Sequence, residues 1–579
     1  MLGEGPDGVD ATRFRGARAR TAAGTDDRAD AASGPSGTAS PASPARGLAG
    51  RVLIAVVPAL LGLITGGYHL GRVPLWRDEA ATKAIASRRV IQILATMPHD
   101  DLVHGAYYLV VHYVIRLLGS SNHALRLPSV LAMAVACAFT ALVAERLASA
   151  AGRSGAAWTG LTAGVIFALL PATIAYAQEA RSYALVTMMA TIATYLLLRA
   201  LDDGRPGWWA GYGAAVFLTA LFNLFGLLIL VAHGLTLLAL ARPATARHWV
   251  RRRLGAPLGW VAASAVAVAL LIPVVIMAYG QRTALGWISS SPSLSRETIT
   301  LARLWAGSAG LVWPVFGLAA LGVAASVIND RRAPGPATVA LPWLAAPPAI
   351  LIAFSALHPI YDQRYVEFCL PGLAICVASG IGWLWRLAGV ALGRAGAGRG
   401  RAGAGRGRAG AGRGPGRLTW LAFLPALAAA VALAVALLPA DAVVRSSSYQ
   451  PDNLEREAGI IAANARPGDI VFFIPVNDRI VSMPFPSSWR KLRDIALDTS
   501  PVASDTLYGT DVGPAALLRR FTHVTRVWVI SSADDPEAAY LATTEPTALD
   551  REEYRLVGAM RRIHRWRDGD TELTLYAAR

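Results

Sequence analysis

Residues 52–80 read VLIAVVPALLGLITGGYHLGRVPLWRDEA, an apolar run from Val52 to Leu70 followed closely by Trp76-Arg77-Asp78-Glu79-Ala80. A helix needs about 20 mostly apolar residues to cross the hydrocarbon of a bilayer, and this run is of that length. Adjacent carboxylates are costly inside that layer, so Asp78 and Glu79 mark the point where the chain leaves it. The plainest reading of such a pair is the solvated start of a loop. The rest of the sequence argues for more than that.

With 54% hydrophobic and 16% charged residues, the chain has the composition of a polytopic membrane protein. A net charge of +17 would point a soluble protein towards nucleic acid. Here the arginines gather in short loops between apolar runs, the pattern of the positive-inside rule, and no nucleic-acid partner is expected. Lys83 and Lys491 are the only lysines. Cys137, Cys369 and Cys376 all fall in apolar runs, which gives neither a disulfide framework nor a metal-binding spacing, and they read as packing residues.

Outward from the opening stretch, residues 1–48 carry Arg13, Arg15, Arg18 and Arg20 among Ala, Gly, Ser, Thr and Asp, and read as a disordered cytoplasmic tail. Residues 49–441 read as the membrane domain. Its first outer loop, 71–126, contains the run Ala106–Leu118, which is too short to cross. Spans then follow at Leu127–Leu147, Trp158–Tyr176 and Tyr183–Leu198, with two more in Trp208–Leu240 that turn at Asn223. Further spans are expected at Val261–Ala278, Ala306–Val327, Thr338–Leu357, Val366–Leu387 and Leu418–Leu438. The total is about eleven, with the N-terminus inside, by the arginine bias of the loops. Arg146, Arg153, Arg199, Arg205, Arg242, Arg247, Arg251, Arg252, Arg253, Arg331 and Arg332 fall inside, whereas Arg88, Arg89, Arg116 and Arg126 count against the scheme.

Between the last two spans, residues 388–417 hold Arg-Ala-Gly-Ala-Gly-Arg-Gly three times in tandem, from Arg394, Arg401 and Arg408. With no strand before it, this is a cytoplasmic loop suited to anionic lipid head groups, not a phosphate-binding glycine loop. Residues 442–579 then read as an extracytoplasmic α/β domain. A helical pattern covers Asp452–Asn464, and strand-like runs cover Ile470–Ile474, Val527–Ile530 and Leu573–Tyr576.

The span parity puts three polar clusters on one outer surface: Asp78-Glu79, the segment Tyr176–Tyr183, and His358–Tyr365. Arg181 and Arg364 lie at span ends, where a guanidinium either snorkels to the interface or grips a phosphate bidentately. By residue type alone, His99, Asp100, Asp101 and His104 leave a divalent metal as a lesser reading, and no metal ligand is assigned.

The order of these motifs is similar to that of a known family. The acidic pair after span one, His104-Gly105-Ala106-Tyr107-Tyr108, Leu125-Arg126-Leu127-Pro128-Ser129, Tyr176-Ala177-Gln178-Glu179-Ala180-Arg181-Ser182-Tyr183 and Gln363-Arg364-Tyr365 resemble the GT-C glycosyltransferases. These enzymes use polyprenyl-phosphate sugars. The nearest branch is that of the protein mannosyltransferases and aminoarabinose transferases, and the likeness covers roughly residues 50–390. It departs from the family at His104-Gly105-Ala106, where His-Pro-Pro is usual.

The resemblance implies a GT-C type membrane fold and a first outer loop built from non-crossing amphipathic helices. It also implies an acidic residue of that loop at the catalytic centre, hence Asp78 with Glu79 beside it. The implied reaction moves a sugar, mannose or a related one, from a polyprenyl-phosphate donor to a hydroxyl of a glycolipid, glycan or protein acceptor, at the outer face of a bacterial cytoplasmic membrane. A hydroxyl is a poor nucleophile at neutral pH, so Asp78 is the candidate base. The leaving phosphate needs charge stabilisation, for which Arg181 and Arg364 are candidates. A single displacement would invert the anomeric centre. Substrate contacts are expected from His104, Tyr107, Tyr108, Gln178, Glu179, Tyr183, Asp362 and Tyr365, and no cofactor is expected. The alternative is a transporter or lipid flippase, although neither midplane polar groups nor internal repeats stand out. A binding module on a membrane anchor would not need so many spans.

Overall fold

A computed structural model describes residues 44–152, 155–241, 250–282, 288, 293–329, 333–401, 424–532 and 546–579. The tail up to residue 43, Arg153, Arg242, Arg247, Arg331, Arg332 and the repeats beyond Arg401 lie outside the described residues.

The first helix, α1 (Pro44–Gly67), stops at a pair of glycines. After an irregular stretch come α2 (Arg77–Ala86), α3 (Val90–Thr96) and α4 (Gly105–Leu118). At about 1.5 Å per residue, the 14 residues of α4 span only about 21 Å, short of the roughly 30 Å hydrocarbon layer, as expected for a helix that does not cross. Next come α5 (Asn122–Ala150), α6 (Ala156–Leu169), α7 (Pro171–Ala177) and α8 (Tyr183–Asp203).

The single span expected over Trp158–Tyr176 is corrected here: α6 and α7 are bent by 63°. The cause is local. Leu170 precedes Pro171 and is extended (φ −67°, ψ 131°), the conformation a following proline imposes.

The chain continues through α9 (Pro206–Phe222), α10 (Ile229–Leu240), α11 (Val250–Gly280), α12 (Leu294–Ala306), α13 (Val312–Asn329), α14 (Leu341–Ser355), α15 (Leu370–Arg401) and α16 (Leu424–Val444). The break at Asn223 is present, and the Asn223 side chain accepts from the Phe225 amide at 3.0 Å. There α9 packs on α8 and α11, and α10 on α14. Glycine lets α13 and α15 approach closely: a Cβ on Gly322 would stand 2.1 Å from the Cys376 carbonyl oxygen. α15 also continues to Arg401, into the Arg/Gly-rich stretch expected as loop from residue 388.

Among the described residues, six helices are long and apolar enough to cross a membrane, or seven if α6 and α7 form one broken span. The apolar helices Arg51–Gly67, Leu102–Leu118, Leu224–Leu240 and Val431–Val444 are shorter, so helix length alone does not reach the expected count of eleven. The Arg146–Asp202 ion pair joins the far ends of α5 and α8, as the loop parity requires.

The C-terminal domain begins with α17 (Leu454–Asn464) and β1 (Asp469–Ile474), continues through α18 (Pro486–Trp489), β2 (Leu492–Asp494), β3 (Leu497–Thr499), β4 (Thr510–Asp511) and α19 (Pro514–Arg520), and closes with β5 (Arg526–Ser532), α20 (Ala548–Gly558), β6 (Arg561–Asp568) and β7 (Thr571–Ala577). The main sheet has the order β2-β1-β5-β7-β6: β1 pairs parallel with β2 and β5, and β7 pairs antiparallel with β5 and β6. The three strands read from sequence are its centre. β6 escaped that reading because Arg-Arg-Ile-His-Arg-Trp-Arg-Asp is an exposed, charged edge, the form in which edges resist further pairing.

One buried ion pair braces the first loop against the bundle. Arg126, in the second turn of α5, donates through Nε and Nη2 to the Glu79 carboxylate at 2.7 and 2.6 Å. Its remaining N–H groups reach the carbonyls of Leu70 and Val73 at 2.8 Å each and Pro74 at 3.1 Å. Both side chains are 0% exposed. Arg126, a liability in the loop-charge scheme, is thus fully consumed by protein groups. Removing one partner would leave a buried charge uncompensated, which typically costs about 3–5 kcal/mol. Glu79→Gln and Arg126→Met are each expected to lower the detergent melting temperature sharply, whereas a change within a degree of the wild type would show that the pair is not a brace.

Candidate active site

Asp78 and Glu79 sit in the first turn of α2, where successive side chains point about 100° apart. Glu79 turns inward to Arg126 and also accepts from the Ala180 amide at 2.8 Å. Asp78 points away from that pair and is 31% exposed. The Asp78 Oδ2 atom accepts from Arg364 Nη1 at 2.6 Å and lies 3.8 Å from Arg181 Nε. The three sequence-separated clusters therefore meet at Asp78. His358 does not join them and remains exposed.

Each arginine is held in a different way. Arg364 follows the loop after α14. It donates from Nε to Asp362 Oδ1 at 2.9 Å and from Nη2 to Asp362 Oδ2 at 3.3 Å, and it lies 5.4 Å from the Trp76 ring centroid. Asp362 also caps this turn by accepting from the Arg364 amide at 2.9 Å. Arg181 lies in the bend between α7 and α8 and is buried. Its Nη1 donates to Asp101 Oδ2 at 3.3 Å, to the Tyr108 hydroxyl at 3.2 Å and to the Asp78 carbonyl at 3.4 Å. Its Nε has no hydrogen-bond partner among the described residues.

The floor is aromatic and polar. His104 is buried edge-on to Tyr183, with ring centroids 5.8 Å apart, and its Nδ1 is 2.8 Å from Ser182 Oγ. Burial, aided by Arg181, pushes its pKa down to about 4, so the imidazole is neutral at pH 7. Tyr108 donates to Asp101. Tyr365 stacks on Phe225 at 4.7 Å. Two candidate contacts serve packing instead. Tyr107 is spent on Ser129 at 3.2 Å, and Gln178 ties α1 down by donating to the carbonyls of Gly66 and Tyr68 at 3.0 and 2.8 Å.

Sequence reading missed the roles of Arg126 and Asp101. By residue type Asp101 reads only as a metal ligand beside His99, Asp100 and His104; the structure keeps Asp101 next to His104, with Oδ1 4.0 Å from Nε2, and turns His99 and Asp100 to other partners. Asp100 accepts from the Leu507 amide at 2.6 Å, and His99 contacts the Ala95 carbonyl at 3.1 Å. Among the described residues no group of three or more His, Cys, Asp or Glu could hold a metal.

The family comparison bears on this geometry. Residues 106–277, which include α4, α5 and the Arg181 bend, match the model of the dolichyl-phosphate-mannose-protein mannosyltransferase family. The match is to a glycosyltransferase family. It bears out the resemblance read from the motifs. Among solved structures, ArnT from Cupriavidus metallidurans bound to undecaprenyl phosphate is similar at 16% identity, covering 92% of this chain and 98% of that one, with a TM-score of 0.49. The archaeal oligosaccharyltransferase AglB from Archaeoglobus fulgidus, in complex with an inhibitory peptide and a dolichol-phosphate, is similar at 11% identity, covering 91% of this chain and 74% of that one, with a TM-score of 0.46. No curated protein sequence matches the chain.

Glu179 gives the site a pH signature. It is buried, its Oε1 has no hydrogen-bond partner among the described residues, and burial raises its pKa to about 8 against the pull of Arg364. A carboxyl held above its unfolded value of 4.5 contributes stability below that value, and the contribution is lost as pH rises through about 8. Glu179→Gln should therefore match the wild type in melting temperature at pH 5 and exceed it at pH 8.5. Parallel melting curves across that range would contradict the assignment.

Proposed function

We propose that the chain is a membrane glycosyltransferase that moves a sugar, mannose or a related one, from a polyprenyl-phosphate donor to an acceptor hydroxyl. The observation that carries this reading is the Asp78 carboxylate, reached by two arginines from separate helix ends, Arg364 at 2.6 Å and Arg181 at 3.8 Å. A membrane-embedded phosphate needs paired guanidinium groups, and a hydroxyl nucleophile needs a carboxylate beside them.

A donor phosphate entering this site competes with Asp78 for the guanidinium groups. It would take the open Nε of Arg181 and share Arg364, loosening the grip on Asp78 as the acceptor arrives. Asp78 then accepts the hydroxyl proton, the acceptor oxygen attacks the anomeric carbon, and the bond to the phosphate oxygen breaks with inversion. The negative charge left on the lipid phosphate rests on Arg181 and Arg364. His104, Tyr108, Glu179, Tyr183, Asp362 and Tyr365 shape the pocket for the sugar and acceptor. Glu79 positions Asp78 through Arg126. The transporter alternative gives no role to a carboxylate and two arginines gathered at one end of the helices.

The reading also places the chain in a bacterial cytoplasmic membrane. Residues 1–48 and 388–417 would lie inside, and the first outer loop (71–126) and the domain 442–579 outside. Ser448 and Ser149 are exposed at opposite ends of this scheme, and the native cysteines are buried. A cysteine at Ser448 should react with an impermeant maleimide in intact cells and one at Ser149 should not; the reverse pattern would invert the topology.

The chemistry is tested with purified chain and a panel of radiolabelled polyprenyl-phosphate sugars. Asp78→Asn keeps the shape but cannot take the proton, and is expected to lose about 10²- to 10⁴-fold in turnover. Retention of more than a tenth of the rate would remove Asp78 as the base. Arg181→Ala and Arg364→Ala should each cost about 2 kcal/mol in kcat/KM, roughly thirtyfold, with Lys recovering part of it. If Lys is silent and Ala lowers only stability, the arginines merely snorkel.

A further inference from the structure

The position of Asp78 is set from two sides, and one side belongs to the C-terminal domain. Trp76 is the N-cap of α2 but offers no side-chain cap. The cap comes from across the chain: the Arg77 amide donates to Asp452 Oδ2 at 3.4 Å, placing a buried carboxylate at the helix N-terminus. The Arg77 side chain then enters the C-terminal domain. Its Nε donates to Asp452 Oδ1 at 3.4 Å, Nη2 donates to Thr571 Oγ1 at 3.1 Å, and Nη1 pairs with Asp478. The side chains of Asp452 and Asp478 are 1% and 2% exposed.

These acceptors are themselves fixed. The Asp570 amide holds the Pro451 carbonyl at 3.0 Å, and the Thr571 hydroxyl donates to Asp452 Oδ1 at 3.4 Å. Just upstream, the Leu454 amide donates to the Leu75 carbonyl at 3.1 Å, and the Leu75 amide to Glu455 Oε2 at 2.9 Å. The irregular chain before α2 is thereby gripped by both bodies, by Arg126 through residues 70–74 and by residues 452–455 through Leu75 and Arg77.

We propose that Arg77 is a positioning residue. Plugged into Asp452, Asp478 and Thr571, it makes the C-terminal domain fix where the next residue, Asp78, meets Arg181 and Arg364. This rests on Asp78 being the base. Adjacent Cα atoms are 3.8 Å apart across a trans peptide, so Arg77 cannot shift without moving Asp78. Docking of the domain does not depend on this plug alone. Arg88 donates to the Thr506 carbonyl at 2.8 Å, Asp100 accepts from the Leu507 amide, and Asn122 donates to Glu455 Oε1 at 2.8 Å. Loss of Arg77 therefore leaves the domain attached while α2 loses its register.

The test uses the full chain in detergent with radiolabelled mannosyl-polyprenyl phosphate as donor probe and membrane extract as acceptor. It follows kcat, donor KM and melting temperature, with hydrogen exchange of residues 75–86. Arg77→Ala is expected to lower kcat by about ten- to a hundredfold, the cost of a misplaced reacting group, with donor KM within about twofold. Arg77→Ala leaves Asp452 and Asp478 buried without their cation and so lowers the melting temperature, but exchange across 77–86 should rise by more than that loss of stability accounts for, and Arg77→Lys should recover part of each. Asp452→Asn with Asp478→Asn approaches the same contact from the domain side and should reproduce the effect; it is also the variant to use if Arg77→Ala fails to fold. The proposal is overturned if kcat is unchanged in these variants, or if activity falls only with the folded fraction while exchange around α2 stays at the wild-type level. An active Asp78→Asn would remove the base assignment, yet the exchange measurement would still decide whether Arg77 holds α2.

Discussion

A guanidinium with all five N–H groups bonded inside the protein holds this structure's first loop in place. Arg126 spends two of them on Glu79 and three on the carbonyls of Leu70, Val73 and Pro74, at no exposure to solvent. A buried ion pair is tolerable only when every donor and lone pair is met, and the Ala180 amide completes the set on Glu79. The pair ties the stretch after α1, the start of α2, the N-terminal part of α5 and the Arg181 bend into one unit. Asp78 and Arg181 inherit their separation from it.

The start of α2 divides three jobs among three consecutive residues. Arg77 goes to the C-terminal domain, Asp78 to Arg181 and Arg364, and Glu79 to the helix bundle. The division follows from helical geometry, since a rotation of about 100° per residue sends neighbouring side chains to three different surroundings. It also puts the C-terminal domain in direct contact with the first loop. The helix that bears the candidate base has no cap of its own, and Asp452 supplies one.

Electrostatics in the site are arranged around shared cations. Arg181 serves Asp101, Tyr108 and the Asp78 backbone, and Arg364 serves Asp362 and Asp78. Carboxylates hold the guanidinium groups in place with limited contact to water. Buried His104 stays neutral beside these cations, so it can exchange hydrogen bonds without adding charge to a site that already holds two arginines.

The sequence alone settled the features that depend on local pattern. The length of the apolar runs identified a helical membrane protein, and short strand-like runs found the central strands β1, β5 and β7. Motif order pointed to the family that residues 106–277 match. Only the tertiary structure decided which member of each like pair does which work. Asp78 and Glu79 are chemically almost interchangeable in a string of letters, as are Arg126, Arg181 and Arg364. Their roles depend on helix rotation and on contacts such as Arg364 to Asp78 and Arg77 to Asp478, between residues hundreds of positions apart. The same holds for the broken α6–α7 span and for the charged edge strand β6. Local sequence determines how a segment folds on itself, whereas the partner that satisfies a buried charge is chosen by packing among all the segments at once.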